Sequence, residues 1–311
     1  MTNATPVISA EGLSKRYPGD RGILGLDLAV DQGEVFGFLG PNGAGKTTTI
    51  RLLLDLIRPT EGRARVLGLD ARRDSLAIRR RVGYLPGELS LYPRLTGEET
   101  LRYFANLRGG VDWAFATRLC ERLECDLTRR NGELSSGNRR KLGLVQALMH
   151  RPEVIILDEP TSGLDPLVQH EFYLLVAEAR AAGQTIFLSS HILPEVQRTC
   201  NRVAFIRDAR LIAVERVTDI VTRALREVEA VVVGDVSLTG FASLSGPSSV
   251  ETEATVLADG RAGTRVHLTV PGSPDMLVKF LAGYEVVDLT IREPDLEDVF
   301  LTYYSEDGHA G

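Results

Sequence analysis

Eight consecutive residues, Gly40-Pro41-Asn42-Gly43-Ala44-Gly45-Lys46-Thr47, place glycines, a lysine and a hydroxyl at the spacing G-x-x-x-x-G-K-[ST]. A nucleoside triphosphate concentrates negative charge, and this pattern supplies its counterpart. The glycines let successive backbone N–H groups turn inward around a phosphate. The helix that follows the loop aims its positive end at the same point. Lys46 adds a cation at the β- and γ-phosphates, and the Thr47 hydroxyl is suited to Mg²⁺, with Thr48 following it in the helix.

A second chemical signal lies 112 residues beyond Lys46. Val154-Ile155-Ile156-Leu157 is an apolar run ending in Asp158 and Glu159. A buried parallel strand delivers its last residues to the ligand edge of a sheet. Asp158 is thereby placed to hold the metal shell, and Glu159 to polarise an attacking water. Between the two lies Leu134-Ser135-Ser136-Gly137-Asn138, a Ser/Gly turn opening a helix and so a second anion site. One cassette with two phosphate-binding corners suggests two copies facing each other, each completing the other's site.

The elements that must position these residues follow from periodicity. Val35–Leu39 reads as a buried strand running into the glycine loop, and Thr47–Ile57 as a helix stopped by Pro59. Helices are expected over Glu98–Leu107, Trp113–Leu123, Arg139–Met149 and Leu167–Ala181, with strands at Val154–Leu157 and Thr185–Leu188. Strands alternating with helices predict an α/β fold, a mainly parallel sheet covered on both faces. After about residue 215 the character changes. Val228–Val233, Val250–Leu257, Thr264–Val270 and Tyr284–Ile291 read as strands, Phe241–Ser249 as loop, and Pro274–Leu281 and Pro294–Tyr304 as helices. This predicts a small α+β appendage.

Composition narrows the class. The 311 residues are 43% hydrophobic and 25% charged, with a formal net charge of −6, which disfavours a whole-chain disordered or fibrous protein and a general nucleic-acid binder. No apolar run approaches the 18 or so residues of a membrane helix, and Met1–Ser9 carries no secretory pattern. Cys120, Cys125 and Cys200 are odd in number and form no C-x-x-C pair, so a disulfide framework is not expected and a reducing cytosol fits. His150, His170, His267 and His309 share no zinc spacing. Arg72, Arg73 and Arg79–Arg81 read as a solvated basic face.

Taken in order, these motifs resemble the nucleotide-binding subunit of an ATP-binding-cassette (ABC) transporter, over roughly residues 5–215. Tyr17 resembles the aromatic residue that stacks on adenine. The phosphate loop follows at 40–48, and Leu134–Asn138 resembles the signature motif. Asp158 and Glu159 match the metal-binding and catalytic carboxylates. Ser162-Gly163-Leu164-Asp165 resembles the loop joining two dimer sites, and His191 the histidine that contacts the γ-phosphate. The resemblance implies a P-loop NTPase cassette with antiparallel β and helical subdomains and ATP and Mg²⁺ as ligands. It further implies a homodimer or cassette pair on the cytoplasmic face of the membrane, docked near Leu85–Pro93 to a separate transmembrane permease, with no nucleic-acid partner. Pro294-Asp295-Leu296-Glu297-Asp298-Val299-Phe300-Leu301 resembles the closing helix of a small domain, here 222–305, found on ATPase subunits of drug-, antibiotic- and lipid-exporting systems. Two positions depart from the pattern. Gly87 follows Tyr84-Leu85-Pro86 where the family has a metal-contacting glutamine, and Ser136 and Asn138 replace the common glycine and glutamine of the signature. A soluble ABC ATPase of translation or DNA repair and an importer ATPase are the competing readings. The single cassette and the short spacing from Lys46 to Asp158 disfavour the first, and the C-terminal segment disfavours the second.

Overall fold

A computed structural model describes residues 6–18, 21–223, 225–236, 249–271 and 273–292. The predicted helix Pro294–Tyr304, most of the Phe241–Ser249 loop and His309 lie outside the described residues. The chain divides into two compact units, Met1–Glu215 and Arg216–Gly311.

The first unit holds two sheets. One has the strand order β10 (Arg210–Arg216), β9 (Arg202–Arg207), β3 (Val35–Leu39), β8 (Thr185–Ser190), β7 (Val154–Asp158) and β6 (Val82–Leu85). The pairs β9/β3, β3/β8, β8/β7 and β7/β6 are parallel. β3, β7 and β8 are buried at every residue, as continuous apolar runs in a parallel sheet require. The other sheet is antiparallel, ordered β2 (Arg21–Val30), β1 (Ile8–Tyr17), β4 (Glu61–Val66) and β5 (Leu69–Asp70). A shared core of Ile8, Leu13, Ile23, Leu26, Phe36, Phe38, Ile50, Ile156 and Phe187 joins the two sheets.

The helices are α1 (Lys46–Leu53), α2 (Ser75–Arg81), α3 (Gly97–Leu107), α4 (Trp113–Arg122), α5 (Ser136–Leu148), α6 (Pro166–Ala181) and α7 (Leu193–Thr199). α3 opens with a reciprocal capping box between Thr96 and Glu99, which satisfies two otherwise orphaned donors. α1 ends earlier than the expected Ile57. Leu54 caps it and Asp55 takes φ 53°, so a left-handed residue stops the helix before Pro59 is reached.

The second unit contains α8 (Val217–Arg223), a four-stranded antiparallel sheet and α9 (Asp275–Leu281). The sheet is ordered β12 (Ser249–Val256), β13 (Ala262–Pro271), β11 (Leu225–Val233) and β14 (Val286–Arg292). Val228, Ala230, Val232, Val266 and Leu268 from the sheet pack with Leu277 and Leu281 of α9 into a core of its own. Among the described residues no helix is long and apolar enough to cross a membrane.

Candidate functional site

The loop between β3 and α1 is set by close backbone approach. A Cβ at Gly40 would stand 2.3 Å from the Ile206 carbonyl, and one at Gly45 would stand 2.5 Å from the Gly22 carbonyl. Gly45 also takes φ 111° and caps α1 without a side chain. Gly43 takes φ 84°, a left-handed conformation that glycine adopts without cost. Pro41, Asn42 and Gly43 face solvent, while Ala44, Gly45 and Lys46 are buried. Lys46 Nζ donates to the Gly40 carbonyl at 2.7 Å and to the Pro41 carbonyl at 3.2 Å, and lies 3.4 Å from Glu159 Oε1.

The parallel sheet brings the strand-end carboxylates to this loop. Thr47 Oγ1 donates to Asp158 Oδ2 at 2.7 Å, across 111 residues of sequence. The Ser189 hydroxyl, at the end of neighbouring β8, donates to Asp158 Oδ1. Asp158 is 1% exposed, and each of its carboxylate oxygens accepts from a hydroxyl, Oδ2 from Thr47 and Oδ1 from Ser189. Burial, and then the Asp158 charge, push the nearby Tyr84 phenol up to about 12. Glu159 stands just past the strand with φ 50°, a conformation that costs a non-glycine residue about 1–3 kcal/mol and persists only where its surroundings impose it. Its N–H donates to the Ser189 carbonyl at 3.1 Å and to Ser189 Oγ at 3.2 Å. His191 Nδ1 lies 3.2 Å from Glu159 Oε1. Behind the histidine, Ser190 Oγ donates to Glu195 at 2.6 Å, and burial raises that carboxyl above its ordinary range. Lys46, Thr47, Asp158, Glu159 and His191 thus form one continuous polar cluster.

The Ser135–Asn138 corner is built differently. Ser135 caps α5, accepting from the Asn138 N–H at 3.2 Å, and both Ser135 and Ser136 are exposed. A Cβ at Gly137 would meet the Gly163 carbonyl at 2.6 Å, so the signature turn rests on the Ser162–Asp165 loop. Asp165 caps α6, accepting from the Val168 N–H at 3.0 Å, with Pro166 at the first turn. That bond holds its carboxyl below the usual range, and Lys141 Nζ lies 3.8 Å away. Among the described residues no hydrogen bond joins residues 135–138 to residues 40–48.

Tyr17 ends β1 and is 39% exposed, with Lys15 Nζ 5.3 Å from its ring centre. Its strand pairs Arg16 with Gly22, whose carbonyl backs Gly45, so the β1–β2 hairpin adjoins the phosphate loop. Gly87 faces the same centre: a Cβ there would lie 3.0 Å from Asp158 Oδ2. A glutamine at this position would meet the carboxylate directly, whereas Glu88 is exposed. One residue in contact with the site was not singled out from sequence. Arg140 on α5 donates to the carbonyls of Pro86, Gly87, Asp158 and Glu159.

A glycine-cradled lysine beside two carboxylates, at the carboxyl edge of a mainly parallel sheet, defines a P-loop nucleotide-binding protein. Residues 23–162 match the family model described as ABC transporter. A daunorubicin resistance ATP-binding protein, DrrA3, of Streptomyces coeruleorubidus is 34% identical over 316 residues, covering 98% of each chain. The probable multidrug ABC transporter ATP-binding protein YbhF of Escherichia coli K12 is 37% identical over 217 residues, 68% of this chain; the chain spans 37% of that relative's length. A solved ATP-binding subunit of an ABC transporter superposes with a TM-score of 0.63 at 32% identity, covering 69% of this chain and 91% of its own. The chain belongs to the ABC transporter family, and its first unit has the ABC ATPase cassette fold.

Proposed function

We propose that this chain is the ATP-hydrolysing subunit of an exporter. It powers the outward movement of a drug-, antibiotic- or lipid-like small molecule through a separate transmembrane permease, and sits peripherally on the cytoplasmic face of the membrane. The relatives' names support this reading: daunorubicin resistance for DrrA3, and bacitracin transport for a Bacillus licheniformis protein 37% identical over 209 residues. The observation that carries the chemistry is the contact of Lys46 and Thr47 with the two carboxylates Asp158 and Glu159.

In this reading residues 40–48 surround the phosphates of ATP, and Tyr17 stacks on the base. Lys46 exchanges its loop carbonyls for phosphate oxygens. The Thr47 hydroxyl and the Asp158 carboxylate, joined at 2.7 Å, are hard oxygen donors of the kind Mg²⁺ prefers. When bound, that ion offsets charge on the β- and γ-phosphates. Glu159 Oε1 orients the attacking water, and His191, 3.2 Å from it, holds the γ-phosphate edge. Two copies close head to tail, so that Ser135–Asn138 of one reaches the nucleotide held by Lys46 of the other and Asp165 lies between the two sites. Loss of the γ-phosphate removes the charge that held the pair, which reopens. The cassette is assigned to residues 5–215, and residues 222–305 to an α+β accessory domain that stabilises the pair.

The test is phosphate release from Mg²⁺-ATP by the purified full chain and by Glu159→Gln. The variant keeps ATP binding while its turnover falls at least about a hundredfold, the scale of a lost general base. Undiminished turnover removes Glu159 from this role. Co-purification with a polytopic membrane protein supports the transport reading, and recovery with ribosomes or DNA instead overturns it.

A further inference from the structure

Arg140 is buried to 5% exposure and lies one turn into the helix that Ser135 caps. One terminal nitrogen, Nη1, donates to the carbonyls of Pro86 and Gly87, each at 2.8 Å. The other, Nη2, donates to the Asp158 carbonyl at 2.8 Å and to the Glu159 carbonyl. The four acceptors belong to two separate segments that both border the phosphate site. Burial pushes the guanidinium down from its usual range, while the charges of Asp158, Glu159 and Glu195 act in the opposite sense. Among the described residues no carboxylate oxygen pairs with it directly, and its hydrogen bonds go to backbone carbonyls. A cation placed so deep among carbonyls is costly unless they are held for it.

Its position coincides with two local oddities. Glu159 is held at φ 50°, and fixing its carbonyl is one way to impose that conformation. Gly87, whose Cβ direction points at Asp158, has no side chain with which to fix its own segment to the carboxylates. Arg140 ties that segment to them through its backbone instead.

We infer that Arg140 is a positioning residue for hydrolysis: its planar fork holds the Glu159 backbone and the Pro86–Gly87 segment in one fixed relation, so that the Glu159 carboxylate meets the γ-phosphate side of the site. This rests on the hydrolytic role given to Glu159 above. A lysine keeps the charge but not the fork, because its ammonium is a point donor that cannot span four carbonyls.

The experiment compares wild type, Arg140→Lys and Arg140→Met in the full chain. It measures kcat and KM for Mg²⁺-ATP, affinity for a fluorescent ATP analogue, and thermal midpoint. For Arg140→Lys, kcat falls about tenfold or more while KM and analogue affinity stay within about threefold, the split expected when reacting groups are misplaced but ground-state binding is intact. Arg140→Met shows at least as large a loss in kcat. A kcat for Arg140→Lys within about twofold of wild type overturns the inference. So does a loss of analogue affinity that matches the loss of kcat, since that marks a general structural role. Wild-type protein that binds the analogue but releases no phosphate fails the underlying reading of Glu159, a result separable from either of these.

Discussion

The two corners of the cassette proposed to bind phosphate are built on opposite physical rules. Around the phosphate loop, every charged group that matters is partnered within the chain: Lys46 by carbonyls and Glu159, Asp158 by Thr47 and Ser189, Glu159 by His191. The signature corner is an exposed helix end whose Ser135 hydroxyl is engaged by its own cap and whose neighbour Ser136 faces solvent. The first is a preorganised charge cluster supported by a buried sheet. The second is a surface, and in the proposed mechanism it gains a target only when another copy supplies one. A centre of this kind concentrates its cost in desolvated charge, offset locally, whereas a corner of the second kind keeps its donors in water until association.

Loss of the phosphate-facing lysine at the first corner should weaken nucleotide binding, and changes at the second should spare it. Lys46→Ala removes the charge-assisted contact to phosphate and should weaken binding of a fluorescent ATP analogue by about ten- to a hundredfold, the equivalent of about 1.5–3 kcal/mol. Ser135→Arg should leave that affinity within error while turnover falls at least about tenfold through misplaced geometry across the pair. If Ser135→Arg instead loses nucleotide affinity in the isolated chain, the contrast between the corners fails. Gly137→Ala forces a Cβ to within 2.6 Å of the Gly163 carbonyl, and such overpacking costs about 1–3 kcal/mol, measurable as a lowered denaturant midpoint. An unchanged midpoint would mean the signature turn and the Ser162–Asp165 loop move apart freely.

The far end of the signature helix gives a smaller, pH-dependent effect. Burial, then the nearby Arg108 charge, lower the His150 pKa to about 4, against its Nε2 contact with the Val82 carbonyl at 3.3 Å. The folded form therefore holds the ring neutral where the unfolded chain already binds a proton. Its contribution to stability is present above about pH 6.5 and is lost as pH falls from there towards 4. Discounted for the ring's partial exposure, that is about 2 kcal/mol. Urea titrations should show His150→Gln with a flatter dependence over this window, and an unaltered slope would place the acid sensitivity elsewhere.

Legibility from sequence divided along similar physical lines. The phosphate loop and the Asp158–Glu159 strand end could be read because their chemistry demands fixed residue types at fixed spacing, and because buried parallel strands are unbroken apolar runs. The antiparallel sheet gave no comparable signal. β1 carries register shifts between Ala10 and Lys15, and Gly12 and Gly25 take positive φ, so the two-residue alternation that marks a strand is interrupted. Arg140 stands between Arg139 and Lys141, and nothing in that run of three cations marks the middle one for a buried role. In fact Arg140 through Val145 are all buried, so α5 has no clear polar side in that stretch and periodicity carries little information there. Cys120 and Cys125 make the same point on a smaller scale. They form no recognised motif, yet the turn closing α4 brings them together, the Cys125 N–H donating to the Cys120 carbonyl at 2.9 Å.

The central claim, that one working site is assembled from the phosphate loop of one copy and the signature corner of another, is tested most directly by mixing two inactive chains. Lys46→Ala and Ser135→Arg proteins, each turning over at no more than about a tenth of the wild-type rate alone, should rise to about a quarter of wild-type turnover when combined in equal amounts, because half the random pairs contain one intact composite site of two. A mixture as inactive as its components would contradict the claim and make the site the property of a single chain.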